Sequence, residues 1–177
     1  MGLDYVNLDA RTRAFMIEEL EWDTAHGTLY ISDRLNQEGG QQWLSVLRQA
    51  VEQRDDNWLA EELRRRGHIK THEQRRKPKG GVTVAKVPIT ASETLAEGEF
   101  NRLYARGLCA RALADGIAEV EVYRGKAVAQ PRPESQAKIG SRVPVKALLD
   151  DLRRSQGVEP ALGIPPGPNS GLTVRLP

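Results

Sequence analysis

The chain has 177 residues, 39% hydrophobic and 28% charged, with a formal net charge of +2. That length can bury one core, and that apolar content excludes wholesale disorder. No apolar run approaches the roughly 20 residues of a membrane span, no basic-then-apolar leader pattern opens the chain, and the single Cys109 excludes an internal disulfide framework. A reducing, cytoplasmic-type environment and no membrane partner are the expectations.

In chain order, Asp9 reads as an N-cap, and Ala10, Ala14, Ile17, Leu20 and Ala25 follow helical spacing up to Gly27. Thr28–Ile31 reads as a short extended or turn segment, and Glu38-Gly39-Gly40 as a break. A second amphipathic helix is predicted over Gln41–Gln53, with Trp43, Leu44, Leu47, Ala50 and Val51 on one side. Asp55 or Asp56 caps a third, in which Trp58, Leu59 and Leu63 face inward before Gly67 ends it. Residues 1–67 thus form a helical N-terminal unit.

A basic connector follows, 68–87 with its extended arm. Eight of the 26 Lys and Arg residues fall between Arg64 and Gly81, with Glu73 as the one acid. Arg64, Arg65, Arg66, Lys70, Arg75, Arg76, Lys77 and Lys79 are the candidate contacts for an anion, either nucleic acid through counterion release or an acidic protein surface. The Lys77-Pro78-Lys79-Gly80-Gly81 end cannot stay helical, so a mobile arm or ordered loop is expected, and a solvated loop is the plainer alternative. No aromatic interrupts the run, which disfavours single-strand recognition by stacking. Val82–Val87 alternates as a short strand up to Pro88.

Residues 88–157 read as an α+β unit. Thr90-Ala91-Ser92-Glu93 has the pattern of a capping box opening the longest helix, which runs to Ala114 before Gly116. Its polar residues Glu99, Asn101, Arg102, Tyr104 and Arg106 read either as a contact face or as intrahelical pairs of Glu99 with Arg102 or Arg106. Glu119–Tyr123 alternates as a strand whose edge another chain could complete, Pro131-Arg132-Pro133 marks a loop, and Val145, Leu148, Leu149 and Leu152 define a last helix ending at Gly157. The tail, 158–177, carries five Pro and three Gly among aliphatic residues. Extended and regularly anchored, it is expected to lie on a neighbouring surface through Leu162, Ile164, Leu172, Val174 and Leu176, with Arg102, Tyr104 and Arg106 as further interface candidates.

Candidates for chemistry are weak. His68 and His72 stand four apart, but the surrounding cations repel a metal. Cys109 reads as a core residue. Glu119, Glu121 and Lys126 lack the spacing of a metal-dependent nuclease, and Gly80-Gly81 lacks a Walker ending. No cofactor, metal or catalytic residue is assigned. The expected fold is α+β: a helical N-terminal unit, a basic connector, a small sheet packed by a long central helix and a C-terminal helix, and an extended tail. The expected function is that of a non-enzymatic structural or interaction protein docking into a larger multi-subunit assembly, a virion being one such context. The alternative is a nucleic-acid-binding accessory protein using 64–79.

Overall fold

A computed structural model describes residues 2–78, 80–156, 163–164 and 170–177. The architecture is mixed helix and sheet, as the α+β pattern implies. Helix α1 spans Ala10–His26; Asp9 caps it by accepting from Thr12 N at 2.9 Å, and Gly27 closes it in the left-handed conformation. Helix α2 spans Gln37–Gln53, not Gln41–Gln53. Asn36 accepts from Gly39 N at 2.8 Å, so Glu38-Gly39-Gly40 forms the first helical turn and not a break. Gly39 serves close approach: a Cβ there would stand 2.6 Å from the His68 carbonyl oxygen. Helix α3 spans Asp56–Arg65 under Asp55, which accepts from Trp58 N at 2.8 Å. The adjacent Asp56 turns inward and accepts from Leu3 N.

Two strands follow, β1 (His72–Arg76) and β2 (Val82–Lys86). They pair antiparallel in the register His72 to Lys86 through Arg76 to Val82. Gly80 and Gly81, at φ 90° and 84°, turn the chain between them. The anticipated arm or loop is therefore a β-hairpin.

Helix α4, Ala91–Ala114, is the centre of the molecule. Its expected capping box does not form. Thr90, at ψ 9° and not in the extended backbone of a cap, makes no side-chain cap bond, and the Glu93 carboxylate accepts from Ser92 Oγ and Arg64. Helix α4 packs against α1, α3 and a further helix, α6 (Val145–Arg154). The crossing with α1 is close at Gly107, where a Cβ would stand 2.6 Å from Met16 Cγ and 2.7 Å from Met16 N.

The second sheet has three antiparallel strands: β3 (Glu119–Arg124) lies between β4 (Arg142–Pro144) and β5 (Leu172–Arg175). Strand β3 was expected at an open edge. It is central instead, because the C-terminal residues fold back to pair Val122 with Val174 and Tyr123 with Thr173. A short helix, α5 (Pro133–Lys138), sits where only a loop was expected, its N-terminus preset by Pro133. One hydrophobic core joins these parts, running from Leu3 and Tyr5 through Met16, Trp43, Phe100 and Leu148 to Val174. The helical N-terminal unit and the α+β unit thus share a core. The predicted helix end at Gly157, the tail anchor Leu162 and the basic Lys79 lie outside the described residues.

Candidate interaction site

The predicted cations separate into two groups. Arg64, Arg65 and Arg66 end α3, and their charge is largely used within the chain. Arg65 and Arg66 both bond Glu62, at 2.7 and 2.5 Å, and these guanidiniums lower its carboxyl to about 2. Arg66 also donates to Gln42 at 2.8 Å, and Arg64 pairs with Glu93 of α4. Arg64 and Arg66 thus tie α3 to α4 and α2, whereas the pair of Arg65 with Glu62 stays within α3. Lys70 donates to the Asp33 carbonyl at 2.7 Å.

The hairpin holds the second group. Glu73 is shared by Arg34 at 2.7 Å and Arg75 at 2.6 Å, which hold its carboxyl below the ordinary range. Arg76, Lys77 and Lys86 are exposed and have no ion pair among the described residues. None of the described residues of 72–86 is buried. Strand alternation places His72, Gln74 and Arg76 on one face with Val82, Val84 and Lys86. Val84 is 67% exposed and Val82 55%. Beyond the ribbon Ile89 is 92% exposed. A cationic face carrying bare valines is unusual for a solvated loop, since isolated strands stay soluble by charge and bare apolar patches mark contact sites. Lys86, Val82, Val84 and Ile89 were not among the predicted site residues; the alternation of Val82–Val87 was the signal for two of them.

The other interface candidates are internal. Arg106 has no exposed surface: its Nε donates to Glu19 Oε2 at 2.9 Å, its Nη1 to Asp23 Oδ2 at 2.6 Å and its Nη2 to the Glu19 carbonyl at 3.1 Å. Burial raises the Glu19 carboxyl, and Arg153 and Arg106 together outweigh it, so the net shift is downward. Both guanidiniums also lie over the Trp22 ring. Arg102 is buried and donates to the Ser155 carbonyl at 2.7 Å. Tyr104 is buried, its Oη accepting from Asn7 N, and its ring stands 4.7 Å from that of Tyr5. Asn101 Nδ2 donates to the Leu172 carbonyl at 2.9 Å. The polar stripe of α4 is thus an internal brace and offers no outward contact face. Glu99, among these groups, is pushed up to about 7 by burial.

The tail anchors pack on this chain's own domain. Leu172 and Val174 are fully buried, Ile164 is buried, and Leu176 packs partly against the core with its amide bonded to Asn7. Side chains used this way cannot also dock on a neighbour, which corrects the reading of Ile164, Leu172 and Val174 as interface residues.

The remaining chemical candidates do not converge. His68 is buried beneath the start of α2, whereas His72 opens β1 in the open. Cys109 is buried, and burial pushes its thiol up to about 12. Glu121 pairs with Arg175 and Lys126 with Glu97, each at 2.6 Å. No group of three His, Cys, Asp or Glu fit to hold a metal occurs among the described residues. No helix of the described residues is long and apolar enough to cross a membrane. Compared with protein-family models, curated proteins and solved structures, the chain matches none.

Proposed function

We propose that this chain is a non-enzymatic interaction protein that docks into a multi-subunit assembly by laying its basic hairpin on an anionic surface. The observation that carries this reading is the hairpin itself. It is an ordered two-stranded ribbon without a buried side chain among its described residues, rich in cations, and bearing valines that a free surface would not favour. The interior charges support it from the other side, because Arg106, Arg153, Glu19 and Asp23 are committed to one another as structure.

The test is sedimentation of the chain in extract from its native source, beside the triple variant Arg76→Glu, Lys77→Glu, Lys86→Glu. The wild-type chain is expected in a large complex and the variant as a folded monomer. A wild-type chain that sediments as a monomer removes the proposal.

A second reading, a nucleic-acid accessory protein, is favoured by Arg76 and Lys77, which stand without carboxylate partners among the described residues near the ribbon's turn. A two-stranded ribbon fits a duplex major groove. It predicts duplex binding that weakens steeply with salt and fails in the same triple variant.

A further inference from the structure

We infer that the outer edge of β2 receives an extended acidic segment of a partner protein as a third strand, with an apolar side chain of that segment seated at the foot of the hairpin. This deepens the docking reading and rests on it.

The ladder bonds define which backbone groups face outward from the two-stranded ribbon. Lys77 N donates to the Gly81 carbonyl and Val87 N to the Thr71 carbonyl, both across the ribbon. In an antiparallel pair, backbone groups alternate between facing the partner and facing away. Odd-numbered residues therefore bond across the hairpin, and the N–H and C=O groups of Val82, Val84 and Lys86 point outward. No strand pairs with that edge among the described residues. An open edge is a template for one more strand.

Charge and shape choose the occupant. Arg76, Val82, Val84 and Lys86 share one face, so an incoming strand would lie beside apolar side chains with cations at either end. Where β2 runs into α4 there is a groove of about 230 Å³ lined by Leu63, Ile69, Val87, Pro88 and Ile89 and also by Arg64, Lys70 and Ser92. Phosphates gain nothing from Val82, Val84 or Ile89. A peptide alternating carboxylates with aliphatic side chains matches all of these features: main-chain bonds to the edge, carboxylates to Arg76 and Lys86, and an aliphatic group against Ile89.

The experiment uses the full chain and a fluorescein-labelled decapeptide alternating Glu with Val or Leu, read by fluorescence polarisation and by amide hydrogen exchange. Binding is expected, with new protection at the amides of Val82, Val84 and Lys86. A peptide of the same sequence N-methylated at every residue keeps its charge but can donate from neither edge, and is expected to bind at least ten-fold more weakly. Val84→Pro, which removes only an outward N–H at an edge position, and Ile89→Asp are each expected to weaken binding by about ten-fold, with circular dichroism unchanged. The inference is overturned if the N-methylated peptide binds equally, if the edge amides gain no protection, or if a 30-base-pair duplex binds while the peptide does not. If the peptide fails yet sedimentation still depends on Arg76, Lys77 and Lys86, strand addition falls and docking stands. If the chain also sediments as a monomer, both fall.

Discussion

Arg106 Nη2 stands 2.8 Å from Glu19 Oε2 across the α1–α4 interface, and neither side chain exposes more than 3% of its surface. A buried guanidinium is tolerable only because Glu19 and Asp23 both receive it, with Trp22 packed against the pair. Removing it leaves Asp23 without its cation in a place water does not reach. Arg106→Met is expected to cost about 3–5 kcal/mol, the range for breaking a buried ion pair from one side. Urea unfolding measures this, and a loss below about 1 kcal/mol would show that the network does not brace the helices.

Glu99 lies beside the same network and gives stability a pH dependence of opposite sign to that of Glu19. Its carboxyl is raised from an ordinary 4.5 to about 7 by burial. Between those values the folded chain holds a proton that the unfolded chain has lost. This contribution therefore falls as pH rises from about 4.5 to 7 and stays low above that. Glu99→Gln, which mimics the protonated acid, is expected to stabilise the protein at pH 8 by up to about 3 kcal/mol. At pH 5 it should change little. Thermal melts at the two pH values decide, and an equal effect at both would reject the assignment. Glu19, held below its ordinary value, works the other way: its contribution is present above the unfolded pKa and lost as pH falls through the folded one.

Gly107 permits the closest approach of α1 to α4. An added methyl would meet the Met16 backbone nitrogen at 2.7 Å as well as the flexible side chain. Gly107→Ala should gain about 1 kcal/mol in helix propensity. It is expected nevertheless to lose about 1–3 kcal/mol net, because the helices must separate. Adding Met16→Ala should not restore stability, since the backbone contact remains. Full rescue by that second change would show that only the side chain was in the way.

The hairpin and the C-terminal strand should respond in opposite fashion to truncation of their aliphatic residues. Val84→Ser on the exposed ribbon is expected to shift stability by less than about 0.5 kcal/mol. Leu172→Ala, in a strand buried against α4, should cost about 2–5 kcal/mol. Equal losses would mean that the hairpin contributes to the core after all.

Helix boundaries were readable where a local rule sets them. Asp9, Asp55, Gly27 and Gly67 act on atoms within a few residues, and the Val145–Leu152 periodicity marks one buried face without reference to anything distant. The start of α2 escaped because two glycines look like a break until His68 is seen packed onto Gly39. Strand β1, His72–Arg76, has no β-branched residue, and only its pairing with Val82–Lys86 makes it a strand. Half of the candidate site was legible for the same reason: the cations Arg75, Arg76 and Lys77 stood out, but their common ribbon with Val82, Val84 and Lys86 depends on register.

The sequence by itself determined five of the six helices among the described residues, the α+β class and a local excess of positive charge, because capping, periodicity and composition act at short range. The tertiary structure decided which charges face solvent and where the tail goes. Arg106 reads as a surface residue until Glu19, 87 positions away, is brought within hydrogen-bond distance. Leu172 and Val174 read as anchors for another molecule until β3 supplies their partners. In both cases the deciding contact is long-range, and no pattern confined to neighbouring residues records it.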